Sequence, residues 1–188
     1  MRKPCFDIRP SPIQGLGAFA TRPIRTATRM IEYTGERLTP PAADARYDDD
    51  RREHPHVLLF TMDRRTVIDA GVGGHEAPYV NHSCAPNCEA VAEQRRVYLE
   101  ALRTIAAGEE LTYDYQLARG GWPSAEWERR YACRCGAATC RGTMLAPPPR
   151  RKLGRSRKVA KKHGAGSHRV AVDARRCAPR APERDGEA

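Results

Sequence analysis

A mainly β domain with little helix, followed by a basic tail, is the fold class that this sequence predicts. Three observations lead there. Short runs rich in Val, Ile, Leu, Tyr and Phe recur between Gly, Pro and Asp turn signals. At 188 residues the chain has room for one ordinary domain plus a tail. The net charge of +10 is local: from residue 147 onward 13 Lys or Arg stand against 4 Asp or Glu, whereas the remainder holds 20 against 19. A polyanion-binding argument therefore applies to the tail and not to the folded part.

Composition also excludes. No apolar run approaches the roughly 18 residues of a membrane span, and the N-terminus lacks an apolar signal core. A soluble protein, made in a cytosol and free of membrane, is expected. Seven cysteines is an odd number, and three of them are bunched, which fits metal ligation better than a disulfide framework.

The elements follow in order. Ile13 to Ala20 contains Gly15-Leu16-Gly17, a backbone able to turn sharply or to approach a ligand closely, with a plain turn or bulge as the commoner outcome. Met30 to Glu36 reads as a short strand ending at Gly35. Ala42 to Glu53 is polar and helix-permissive just after Pro40-Pro41. Its Asp48-Asp49-Asp50 run is a solvated face first and a partner for basic substrate second. Val57 to Phe60 and Thr66 to Asp69 form a hairpin around Asp63-Arg64-Arg65, after which Gly71 to Gly74 loosens the chain. Val97 to Leu102 and Glu110 to Tyr115 are two further strands joined at Ala107-Gly108, and Ser124 to Tyr131 is a short helix capped by Ser124. From Pro147 on, almost nothing aromatic remains to offset ordering entropy, so disorder is expected.

The chain is organised around Tyr79-Val80-Asn81-His82-Ser83-Cys84-Ala85-Pro86-Asn87-Cys88. Amide, imidazole and thiol groups crowded beside a proline are costly to bury without partners, so a polar task is indicated. A second cluster, Cys133-x-Cys135-x4-Cys140, places three thiols within eight residues. Structural zinc takes four ligands in a tetrahedron, so a fourth must come from elsewhere. Cys84 and Cys88 are the nearest candidates, with Cys5 and Cys177 harder to place.

Together these stretches resemble SET-domain protein lysine methyltransferases that carry a post-SET zinc loop, in a compact, bacterial-type form. Asn81-His82-Ser83-Cys84-x-Pro86-Asn87 is the most specific match. Gly15-x-Gly17, Tyr33-x-Gly35, Glu109 to Tyr115 and the Cys-x-Cys-x4-Cys motif join it in the family's order, across roughly residues 10–145. No cysteine-rich pre-SET segment precedes the match. The family often has Gly-Asn and then Arg-Phe before the central motif; His75 and Pro78-Tyr79 stand there in this chain, so Pro78 removes a cation and an N–H.

The resemblance implies a SET domain over residues 1–118, a linker helix and post-SET zinc loop over 119–146, and the tail over 147–188. It further implies small curved sheets with residues 81–87 threaded as a pseudoknot beside the 110–115 strand. S-adenosylmethionine would be held by Gly15, Leu16, Gly17, Asn81 and His82, and more loosely by Tyr47. Cys84 would join Cys133, Cys135 and Cys140 on a structural Zn²⁺, leaving Cys88 free. Tyr115 would be catalytic, Tyr113 would set the number of methyls added, and Tyr33 would line the lysine channel.

The implied partner is a basic protein such as a histone tail, approached by a monomer. The implied location is a bacterial cytosol with delivery to a host nucleus, or chromatin in a eukaryote. Lysine is confined to Lys3 and to Lys152, Lys158, Lys161 and Lys162, so the tail itself is a candidate substrate tethered at high effective concentration. The competing expectation is a non-catalytic zinc-stabilised module whose residues 147–188 bind nucleic acid. A zinc hydrolase is disfavoured, because no His-Glu-x-x-His site is present.

Overall fold

The computed structural model describes residues 4–47, 58–118 and 125–147, apart from the Trp127 side chain. Asp48-Asp49-Asp50, Val57, Ser124, Cys177 and the tail lysines lie outside the described residues. Among the described residues, ten strands form three small sheets, with two short α-helices. β1 (Phe6–Pro10) and β2 (Leu16–Ala20) make an antiparallel ribbon. β4 (Glu36–Leu38), β6 (Val67–Asp69) and β5 (Leu59–Thr61) make a three-stranded antiparallel sheet in that order. The third sheet runs β3 (Arg29–Glu32), β9 (Arg96–Ala101), β8 (Cys88–Glu93), β10 (Thr112–Tyr113) and β7 (Asn81–His82).

Strand lengths follow from what each segment can bury. Alternation in β9 puts Val97, Leu99 and Ala101 inside, where they join Ile24, Ile31, Ile105 and Leu111 in the main core. The expected helix after Pro40-Pro41 starts two residues early, as α1 (Pro40–Arg46), because the prolines occupy the first turn where no N–H bond is required. Asp63 Oδ1 accepts the Arg65 N–H at 2.8 Å and tightens the predicted hairpin turn. Within Gly71 to Gly74, Gly71 and Gly74 are closely packed, with a Cβ at Gly71 standing 2.7 Å from the Tyr47 hydroxyl, whereas a Cβ at Gly73 would meet nothing within 4 Å.

The predicted strand over 110–115 is divided between two sheets. Glu110 bridges Phe19, and the Leu111 N–H donates to Ala18 O at 2.7 Å, which ties this part to β2. Only Thr112 and Tyr113 remain in the large sheet. They pair in parallel with Asn81 and His82 on one edge, and Tyr113 pairs with Cys88 on the other. Residues 83–87 therefore carry the chain from one side of β10 to the other. Ser83 N–H donates to Tyr113 O and Asn87 N–H to Thr112 O, both at 3.2 Å, along that passage. Asn87 Oδ1 in turn accepts the Thr112 N–H at 2.8 Å.

The last described segment is an arm. α2 (Ala125–Arg130) leads into residues 131–133, which pair antiparallel with 142–144 and enclose the cysteine loop. Tyr131 and Leu145 sink fully into the main core and anchor the arm there.

Candidate functional site

Four sulfurs meet where the central motif faces the arm. The Sγ atoms of Cys84, Cys133, Cys135 and Cys140 all lie within 4.8 Å of one another. Cys84 Sγ is 3.7 Å from Cys133 Sγ and 3.9 Å from Cys140 Sγ. Thiolates at about 2.3 Å from a tetrahedral zinc ion stand about 3.8 Å apart, so the spacing fits zinc and is far too long for disulfides.

Each sulfur also accepts at least one backbone N–H. Arg141 donates to Cys84 at 3.3 Å, Cys135 to Cys133 at 3.4 Å, Cys84 to Cys135 at 3.5 Å, and Gly142 to Cys140 at 3.4 Å. Such donors favour thiolate over thiol. Burial outweighs these donors at Cys84 and Cys133, whose thiols stand above their ordinary value, whereas at Cys135 the N–H groups of Cys84 and Ala137 outweigh burial and bring that thiol down to about 6. Cys88, the other candidate for fourth ligand, is buried elsewhere. Its Sγ donates to Asn87 Oδ1 at 3.2 Å, and burial pushes it up to about 12.

Beside the cluster opens a cavity of about 280 Å³. Gln14, Gly15, Asn81, His82 and Tyr115 border it from the sheets, and Ala132, Cys133, Arg134 and Met144 close it from the arm. Asn81 Nδ2 is committed to this wall. It donates to Leu16 O at 3.0 Å and Glu110 Oε1 at 2.8 Å, with Gln14 O at 3.3 Å, so it pins the Gly15 turn. Glu110 Oε1 also accepts from Ser11 Oγ at 2.7 Å. Gly17 is absent from the lining, but a Cβ there would overlap the Glu110 carboxylate. The motif reading left Ser11 and Glu110 without a role. A carboxylate one residue from a strand carries no sequence signal of its partner.

Not every expected residue gathers at this cavity. Tyr47 donates its hydroxyl to Asp69 Oδ1 at 2.8 Å and packs with Leu38, Ala43, Leu59 and Val67, in the smaller sheet. Asp69 is fully buried and needs that donor, together with Arg46 Nη1 at 2.7 Å and the Gly71 N–H at 2.9 Å. Tyr47 therefore does not border this cavity.

Behind the cavity stand three buried phenols. The Tyr113 and Tyr115 rings are 4.7 Å apart, and Tyr33 lies within electrostatic reach of both. Tyr33 donates to Leu58 O at 3.1 Å and Tyr115 to Val80 O at 3.0 Å. Burial holds all three well above the ordinary phenol range, so none ionises at neutral pH. His82 is likewise buried and neutral, pushed down to about 4 by burial despite Asp114 Oδ1 at 3.5 Å.

Residues 15–116 match the SET domain family. The chain is 40% identical over 151 residues to the Saccharomyces cerevisiae protein named histone-lysine N-methyltransferase, H3 lysine-4 specific, covering 76% of this chain and 13% of the relative. It is 38% identical to the Drosophila melanogaster histone-lysine N-methyltransferase trr over 71% of this chain and 6% of that protein. Human histone-lysine N-methyltransferase 2D gives 36% over 71% of this chain and 2% of that protein. The chain thus spans a small part of the length of these relatives. With the threaded central motif, the cysteine arm and these similarities in agreement, the chain belongs to the SET-domain family.

Proposed function

We propose that this protein transfers a methyl group from S-adenosylmethionine to lysine side chains of a basic, histone-type protein. The observation that carries this reading is the cavity bordered by Asn81, His82 and the cysteine arm, with Tyr115 in its wall and Tyr33 and Tyr113 buried behind it. The relatives' names support the substrate class.

The bound cofactor would supply an activated methyl on a sulfonium. Gly15 and its neighbours Leu16 and Gly17 would offer main chain to it, and Asn81 and His82 would hold it. Arg134, with Arg129 and Arg130, borders the same cavity and brings the cations that Pro78 lacks at the family's position. A lysine amine reacts only when neutral, and its ordinary pKa of about 10.4 keeps it protonated at neutral pH. Desolvation among buried aromatic rings lowers that value, which removes the need for a general base. Tyr33, Tyr113 and Tyr115 stay protonated and so orient rather than abstract. Tyr115 spends its proton on Val80 O, which leaves its oxygen lone pairs to hold methyl hydrogens, each contact contributing under about 1 kcal/mol. Alignment of the reactants supplies most of the rest. Cys84, Cys133, Cys135 and Cys140 would hold a Zn²⁺ with all four positions filled, so its role would be structural.

Labelled S-adenosylmethionine with an array of basic peptides tests this. Transfer to lysine, lost in Tyr115→Phe while calorimetric cofactor binding persists, is the expected result. Mass spectrometry should show mono- or dimethyl product, since the Tyr113 hydroxyl restricts room for a third methyl. No cofactor binding by the wild type would favour the zinc-module reading, with residues 147–188 binding nucleic acid. Because four of the five lysines fall after residue 147, the same assay on a chain lacking 147–188 tests methylation of the protein's own tail.

A further inference from the structure

We infer that Arg141 and Asp114 form a latch that seats the cysteine arm, and with it one wall of the cavity, against the tyrosine strand. The inference rests on the reading of that cavity as the cofactor site. Arg141 follows the last cysteine of the cluster. Its guanidinium grips Asp114 through both ends, Nη1 to Oδ2 at 2.9 Å and Nη2 to Oδ1 at 2.8 Å. Asp114 lies between Tyr113 and Tyr115, the two residues whose rings stand 4.7 Å apart beside the cavity. The main-chain N–H of Arg141 meanwhile donates to Cys84 Sγ at 3.3 Å. One residue therefore touches the sulfur cluster with its backbone and the tyrosine strand with its side chain.

The geometry makes this more than a surface ion pair. Both side chains are mostly buried, with 26% and 18% exposed, and a two-pronged Arg–carboxylate contact fixes orientation as well as distance. Asp114 is itself immobilised, because Oδ1 accepts the Gln116 N–H at 3.2 Å and Oδ2 faces Gln116 Nε2 at 3.4 Å. Beyond the latch, main-chain bonds between Leu117 and residues 144 and 146 hold the end of the arm at 3.1 and 2.8 Å respectively. Those bonds lie past the cysteine loop. The segment that supplies Cys133 and Arg134 to the cavity is held by the sulfur cluster, by the Cys133 N–H bond to Gly142 O at 3.0 Å next to Tyr131 in the core, and by the Arg141 fork. The fork ties this loop directly to the strand of Tyr113 and Tyr115, so Arg141 and Asp114 are positioning residues for the cofactor and not groups that touch the reacting atoms.

The test uses the full chain with Arg141→Ala, Arg141→Lys and Asp114→Asn. Three readouts apply: zinc content, calorimetric Kd for S-adenosylhomocysteine, and the separate kcat and KM for S-adenosylmethionine. The expected result for Arg141→Ala is one zinc per chain, Kd and KM raised roughly tenfold or more, and kcat at saturating cofactor little changed. Arg141→Lys, which keeps the charge and loses the fork, should fall between. A general structural role would instead lower zinc content, stability and kcat together. Should Arg141→Ala not fold, Arg141→Lys and Asp114→Asn carry the test. Unchanged Kd in the variants that fold, with zinc in place, overturns the latch. A wild type that binds no cofactor sinks the proposed function instead. The latch is then judged by transfer of zinc to a chromogenic chelator, faster in the variants if it exists and unchanged if it does not.

Discussion

The main-chain N–H of Tyr115 donates to His82 Nδ1 at 3.1 Å, and the opposite ring nitrogen of His82 meets Cys84 Sγ at 3.4 Å. Because Nδ1 accepts, the neutral ring carries its proton on Nε2 and directs it at the sulfur. His82 therefore joins the strand of Tyr115 to a cysteine of the cluster, an outer-shell contact of the kind that orients a metal ligand. The sequence expectation placed His82 against the cofactor alone. Its side chain also spans these two partners, and both nitrogens are occupied.

His82→Ala should therefore do two things at once. The Tyr115 N–H, left buried without an acceptor, should cost about 1–3 kcal/mol of stability. Zinc should leave Cys84 sooner, for want of the donor. Denaturant melts and chelator competition measure the two effects. A variant as stable as wild type, with zinc release unchanged, would show that the imidazole bridges nothing.

Gly17→Ala tests the wall of the cavity. Its φ is not in the left-handed region, so the backbone accepts alanine, and the cost is steric. The new methyl would collide with the Glu110 carboxylate that holds Ser11 Oγ and Asn81 Nδ2. Glu110 must swing away, and Asn81 then loses its best acceptor. We expect a loss of roughly 1–2 kcal/mol in stability and weaker cofactor binding. Gly15→Ala, where a Cβ meets nothing within 4 Å but φ is +50°, should cost stability through backbone strain instead. Equal cofactor affinity in Gly17→Ala and wild type would argue that Glu110 has no bearing on the cavity.

How much of this was legible in the sequence depends on the residue. Three thiols within eight residues point to a metal, but the choice of Cys84 over Cys88 as the fourth ligand, and any role for Asn81 and His82, come from the family resemblance and not from spacing. β8 was missed, and the cause is visible. It joins β9 through Gln94-Arg95, which adopt φ +48° and +61° with no Gly, Asn or Asp to signal a turn. The division of the 110–115 strand was equally hidden, since both halves are apolar on alternate positions and only tertiary partners separate them. The Asp114–Arg141 fork joins residues 27 apart, and charge pattern alone cannot choose one arginine among so many.

Glu109 offers a pH test of the turn that precedes the tyrosine strand. Hydrogen bonds from Arg103 pull its carboxyl down to about 2, aided by Asn87 Nδ2 and the Ala106 N–H and opposed by burial. In the unfolded chain the same group titrates near the ordinary 4.5. Between these values the unfolded chain binds more protons, so stability rises with pH across the window and is lost as pH falls from about 4.5 toward about 2. Glu109→Gln should be less stable than wild type by roughly 1 kcal/mol at pH 7, with the Arg103 end of the pair half-exposed and partly screened. The gap should close in acid. Parallel melts at pH 7 and pH 3 measure it, and a gap that stays constant would assign the loss to packing rather than charge.

Removal of zinc separates the arm from the sheets. Tyr131 and Leu145 hold the arm in the main core without help from the metal, so a chelator should leave most far-ultraviolet dichroism in place. The cysteine loop is different: besides the Arg141 fork and the Cys133–Gly142 main-chain bond, its contacts converge on the four sulfurs, which lose their common partner once the cation is gone. Arg134 and Cys133 should then leave the cavity wall, and calorimetry with S-adenosylhomocysteine should show binding abolished in the stripped protein and restored by added Zn²⁺. Cys140→Ser should imitate the chelator, and a variant at Cys88, which lies outside the cluster, should not. Stripped protein that binds as tightly as the loaded form would mean that the cavity is complete without the cysteine loop, and that the cysteines serve only to fasten the arm.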